Sequence, residues 1–284
     1  MTDQPKSLVE KCSQRDDWCC LRFMYFIASG SVLLSLSACS LIASAAKEGA
    51  LSMTARSGSE TFNLTGELPP DFGVEATVWY TPKKPSSSCE VDSFYSTEKR
   101  TRYHAKAYEQ DFEGQAHAFS FNVPLTYSVG FCNMEISKVD LKIRGRFGDQ
   151  EWQNAYDDGG LRFVKTLPGY SPEFDEKGLL EIIGKCEWLF QDSRLSLQLD
   201  KSLKCKGAGA YLQTEKLANK TVKFKIEVNP EERPYYDETW IKFPRGWKPC
   251  AEETKGWIWC KSPPTFKTFK MNGKTCTVYP NCTE

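Results

Sequence analysis

The sequence predicts an all-β, mainly antiparallel protein, with an N-terminal β-sandwich and a smaller disulfide-rich β domain after it. Three observations carry this. Apolar residues recur with period two from residue 59 onward, short segments are separated by Pro- and Gly-bearing turns, and eight cysteines follow in even number from Cys89 to Cys282. With 284 residues, 40% of them apolar and 13% aromatic, the chain has the material for a buried core and the length of about two domains.

The strands are expected in order. Phe62 and Leu64 alternate with Thr61, Asn63 and Thr65; Val74, Ala76, Val78 and Tyr80 share one face; so do His117, Phe119, Phe121 and Val123. Val139, Leu141 and Ile143 alternate with Asp140, Lys142 and Arg144, the cleanest such signal in the chain. Alternation of this kind puts one face of each strand into a core and the other into water. Asp157-Asp158-Gly159-Gly160 reads as a turn, since it lacks the alternating oxygen ligands of a calcium loop. Two prolines and mixed charge in Thr166–Gly178 place a boundary between a sandwich at 59–166 and a second domain at 167–284. In the second half Leu195, Leu197 and Leu199, then Val222, Phe224, Ile226 and Val228, read as strands, and Asn272-Gly273 as a two-residue hairpin turn. GLLEIIGKCEWLF fits a short helix or a strand.

Residues Phe23–Ala38 form a 16-residue uncharged, mostly apolar run behind Arg22. As a helix it would rise about 24 Å, short of the roughly 30 Å hydrocarbon core, so a cleaved export signal over 1–38 fits better than a membrane span. Its end, Leu36-Ser37-Ala38-Cys39, resembles the lipobox of bacterial lipoproteins. That resemblance implies a diacylglycerol thioether on Cys39 and cleavage just before it. Ser40, where an Asp would favour inner-membrane retention, implies the periplasmic side of the outer membrane. Residues 39–58, small and polar, then form a lipidated tether.

An even number of cysteines in an exported chain indicates disulfides. Eight allow 105 connectivities, among which sequence alone does not choose; pairing of neighbours, Cys89–Cys132, Cys186–Cys205, Cys250–Cys260 and Cys276–Cys282, is the simplest expectation, since each loop closes within one excursion of the chain and none crosses another. Zinc sites bring Cys pairs two to four residues apart or His partners at helical spacing. The spacings here, and the only histidines, His104 and His117, match neither pattern.

Lys and Arg together number 37, as do Asp and Glu, which argues against nucleic acid or an anionic membrane face as the partner. No Gly-rich phosphate loop is present, and Gly169-Tyr170-Ser171-Pro172-Glu173 lacks the second Gly of a hydrolase nucleophile turn. His117 is in phase with a core face, and His104 lies among Arg100, Arg102 and Lys106. No catalytic residue, metal or cofactor is therefore assigned. The feature most suggestive of function is aromatic: Tyr235, Tyr236, Trp240, Phe243, Trp247, Trp257 and Trp259 within 26 residues, a candidate binding surface or the core of the small second domain.

Val123-Pro124-Leu125-Thr126-Tyr127 and Gly130-Phe131-Cys132, leading into Val139–Ile143, resemble periplasmic lipoproteins that accompany type VI secretion phospholipase effectors. The resemblance covers the first domain and implies a non-enzymatic immunity protein that captures a secreted lipase; it assigns no inhibitory residues. An envelope carbohydrate- or peptide-binding module, or an assembly factor, is the alternative. Asn63-Leu-Thr, Asn219-Lys-Thr and Asn281-Cys-Thr have the form of glycosylation acceptors, as a eukaryotic secreted chain would carry, but such triplets are frequent by chance and the lipobox resemblance outweighs them.

Overall fold

The computed structural model describes residues 53–93, 98–251 and 259–283. The segment 1–38 expected to be an export signal, Cys39 and Trp257 lie outside them. The strands are β1 Arg56–Ser57, β2 Thr61–Leu68, β3 Phe72–Pro82, β4 Glu90–Asp92, β5 Lys99–Thr101, β6 His104–Gln110, β7 His117–Pro124, β8 Thr126–Val129, β9 Cys132–Arg146 and β10 Asn154–Phe163. They continue with β11 Leu179–Ser193, β12 Gln198–Lys206, β13 Gly209–Leu212, β14 Thr221–Val228, β15 Arg233–Pro234, β16 Trp240–Phe243, β17 Gly246–Pro249, β18 Phe269–Met271 and β19 Lys274–Cys276. Besides strands, the described residues hold three short 3₁₀ turns and no α-helix, so the chain is all-β. It divides into two compact units, and the main one, Ala55–Glu90 with Thr101–Glu284, carries all that follows.

Two sheets form a sandwich-like core. In the first, the 15-residue β9 is the spine, paired with β3 on one side and with β8 and β10 on the other; β6, β1 and β13 complete it. The second runs β12-β11-β14-β2-β7, with β15 continuing beside β11. Their inner faces are the alternating residues of the sequence. Val74, Ala76, Val78 and Tyr80 are fully buried, as are Leu64, Val123, Val139, Ile143, Val222 and Phe224. Edge-to-face ring pairs cross between the sheets, Phe62 with Phe163 at 6.2 Å and Phe72 with Trp188 at 6.1 Å. The Tyr80 hydroxyl donates to the Pro124 carbonyl at 2.8 Å; burial raises its pKa far above that of a free phenol.

GLLEIIGKCEWLF is strand. β11 pairs antiparallel with β12 and parallel with β14, and Leu180, Ile182, Cys186 and Trp188 point inward on its period of two.

Four expectations are corrected. Residues 166–178 do not divide two domains: β14 pairs in parallel with β2 from Thr221↔Asn63 to Lys225↔Glu67, and β10 with β13 from Gly160↔Gly209 to Phe163↔Leu212. Strands from both halves therefore share each sheet. Asp157–Gly160 is strand, within β10; Asp157 accepts the Cys205 N–H at 2.7 Å, and the glycines let the backbone at Ala208 approach, where the Gly160 N–H donates to the Ala208 carbonyl. Leu195 and Leu197 lie on the turn between β11 and β12 and are 99% and 75% exposed; only Leu199 is buried. The tether stops short of Gly58, because Arg56 and Ser57 pair with Ser128 and Tyr127 of β8.

All four disulfides join neighbouring cysteines as expected: Cys89–Cys132, Cys186–Cys205, Cys250–Cys260 and Cys276–Cys282. The first two staple the sandwich, the second across β11 and β12. The other two belong to a small C-terminal part made of two hairpins, β16–β17 and β18–β19. The latter turns at Asn272-Gly273, both at positive φ as a tight hairpin of this type requires. Gly246 is fixed by its surroundings: at φ +135° an added Cβ would sit 2.0 Å from the Tyr279 carbonyl oxygen, beside the Trp247–Tyr279 bridge.

The C-terminal part has its own core, in which Phe190 and Leu199 of the sandwich meet Trp240, Phe269, Cys276 and Tyr279. The Phe190 ring lies 4.2 Å from that of Tyr279 and 5.0 Å from that of Trp240. Phe190→Ala should cost about 3–5 kcal/mol by opening a cavity at the centre of this cluster. Equilibrium unfolding in urea under oxidising conditions measures it; a loss below about 1 kcal/mol would show that the aromatic cluster is not a joint stabilised by burial.

A candidate binding cleft at the C-terminal part

The aromatic residues singled out in the sequence divide into buried and presented rings. Trp240 is 5% exposed and wedges between Phe190 and Phe269. Trp247 is half-buried against the same cluster, with the Lys242 ammonium 5.6 Å above its ring. Phe243 is half-buried against Phe266, and Lys248 lies over both rings. Tyr235 and Tyr236 are exposed, edge to face at 4.8 Å, and Trp259 is 48% exposed. The small core and the candidate surface thus use adjacent residues of one segment.

That segment is held firmly. β15 continues the sheet beside Leu189 and Phe190, and the Tyr235 N–H donates to the Phe190 carbonyl at 2.8 Å. Arg233 grips Glu187 through two charge-assisted bonds of 2.8 and 2.9 Å and reaches Asp237 at 3.2 Å. The guanidinium holds the Glu187 carboxyl below the usual range, and that carboxylate raises the Arg233 pKa in turn, so the pair persists into acid. Nearby, Glu232 accepts from the Tyr279 hydroxyl and from Lys201 at 2.8 Å. Burial, then the neighbouring carboxylate, pushes the Tyr279 phenol well up. Cys250–Cys260 closes the strand end, and the Cys260 N–H donates to the Glu238 carbonyl.

Between these residues and the β11–β12 turn lies a cleft of about 390 Å³. Tyr236, Trp240, Pro249 and Cys250 line one side, and Asp192 to Leu195 the other. Lys267 bonds Asp192 at 2.6 Å across it. Leu195, which strand patterning had assigned to a core, adds exposed apolar area to the rim.

The histidines lie elsewhere in the main unit. His104 packs against the contacting rings of Tyr80 and Tyr127, and burial, with Lys106 nearby, lowers its pKa. Burial pushes the neighbouring Tyr108 phenol up to about 12. The His117 Nδ1 lies 3.0 Å from the Gln115 carbonyl oxygen. Among the described residues no group of three or more His, Cys, Asp or Glu is placed to hold a metal ion. No known protein family, curated protein or solved structure matches this chain.

Proposed function

We propose that the chain is a non-enzymatic binding protein, lipid-anchored through Cys39 on the periplasmic side of the outer membrane. Its partner is a protein, and its role is immunity: it captures and blocks a phospholipase effector of type VI secretion. One observation carries the binding reading. Exposed Tyr235 and Tyr236 stand on a segment fixed by Arg233–Glu187, beside a cleft whose opposite rim ends in the exposed Leu195. Rings held this way lose little conformational freedom on binding, which is where interface affinity concentrates. The rim also carries Arg194 and Asp192. A protruding turn of mixed apolar and charged character suits a protein surface better than a sugar. The four disulfides agree with an oxidising compartment. The placement and the immunity role rest on the lipobox resemblance at Leu36–Cys39 and on the resemblance over Val123–Ile143.

Cys39→Ala should move the protein from the membrane fraction to the soluble periplasm and remove its acyl mass; unchanged fractionation overturns the anchor. Deleting the gene should sensitise cells to sibling cells that deliver the phospholipase, and full survival overturns the immunity role. In the deletion strain, Leu195→Asp with Tyr236→Ala should restore normal protein levels without protection, with partner affinity reduced at least about tenfold, or 1.4 kcal/mol. Protection equal to that of the unaltered chain would remove the cleft from the interface.

A further inference from the structure

We infer that a second hollow, separate from the cleft, binds an uncharged pyranose oligosaccharide. It is an open depression between residues 147–153, the start of β12 and the β18–β19 tip, with a volume of about 550 Å³, within the range of small-molecule sites. Four side-chain amides (Gln150, Gln153, Gln198 and Asn272) line it with Trp152 and Asp149.

Its floor is prearranged. Gln153 is only 8% exposed; its side-chain oxygen accepts the Gln150 N–H at 3.1 Å, and its amide nitrogen donates to the Asn272 side-chain oxygen at 3.2 Å. The Asn272 amide donors are left unspent, as are the side-chain amides of Gln150 and Gln198 among the described residues. At the rim, Trp152 is 45% exposed and its ring is set at 72° against Phe147.

The lining selects the ligand. Each amide offers a donor beside an acceptor, which matches vicinal hydroxyls that both give and take hydrogen bonds. The exposed indole offers a face for the C–H side of a pyranose whose hydroxyls are equatorial. An apolar ligand would strand the amides unpaired. No Lys or Arg lines the hollow to receive an anion, and one carboxylate is too little for a divalent cation. This inference is independent of the protein-binding reading, because the two linings share no residue.

Calorimetric titration of the purified chain with triacetylchitotriose and with cellotetraose tests it, with sialyllactose as an anionic control. Saturable binding of at least one neutral sugar is expected. Trp152→Ala should weaken it at least about tenfold, and Trp152→Phe and Gln198→Ala by about threefold each. Tyr236→Ala should leave it unchanged. Absence of saturable binding by both neutral sugars overturns the inference, as does unaltered affinity in Trp152→Ala or equal binding of the sialylated control.

Discussion

The parallel register between β14 and β2 is the constraint on which the rest of the molecule depends. It brings Thr221–Lys225 beside Asn63–Glu67 and is sealed on the outer face by a 2.5 Å ion pair between Lys223 and Glu67, 156 residues apart in sequence. A surface ion pair of this kind adds little by itself. The burial beneath it, with Leu64 and Phe224 fully enclosed, supplies the stabilisation. Without this pairing β2 and β7 would have no sheet to join, and β14, which flanks the Phe190-bearing strand β11, would be left as an open edge. Contacts that span so much of the chain make folding slow relative to stability.

Phe190 passes that order on to the C-terminal part. Two short hairpins bury too little apolar area to stand alone. They are organised around one sandwich side chain and closed by two disulfides, while a polar clamp of Lys201, Glu232 and Tyr279 covers the joint. The same arrangement fixes the exposed tyrosines one strand residue away from the buried ring. Stability and presentation are therefore coupled at the cleft.

Much of the sandwich was legible in the sequence because period-two burial is a local property; Val74–Tyr80 and Val139–Ile143 state it directly. That the eight cysteines would form disulfides was legible from their even number; their connectivity was not, because nothing local chooses among 105 pairings, and the neighbour pairing that the structure shows was one option among them. The domain division was not legible, since a parallel partner 158 residues away, as Thr221 is from Asn63, leaves no local mark, whereas the Pro-containing stretch at 166–178 does. Leu195 and Leu197 repeat the spacing of a strand, but periodicity cannot tell a core face from an exposed turn. The aromatic segment was visible as a cluster; which rings would be buried depended on Phe190, more than 40 residues earlier. The amide-lined hollow was invisible, because its residues come from three distant segments and none is unusual alone.

The nearest-neighbour order of the disulfides, with separations of 43, 19, 10 and 6 residues, has a consequence for biogenesis. A chain threading through a pore presents its thiols one after another, and here each second thiol to appear is the correct partner of the one before. If the chain is exported as proposed, a vectorial oxidant acting in order of appearance would produce these four bonds directly, and maturation would place no demand on an isomerase to reshuffle mispaired ones.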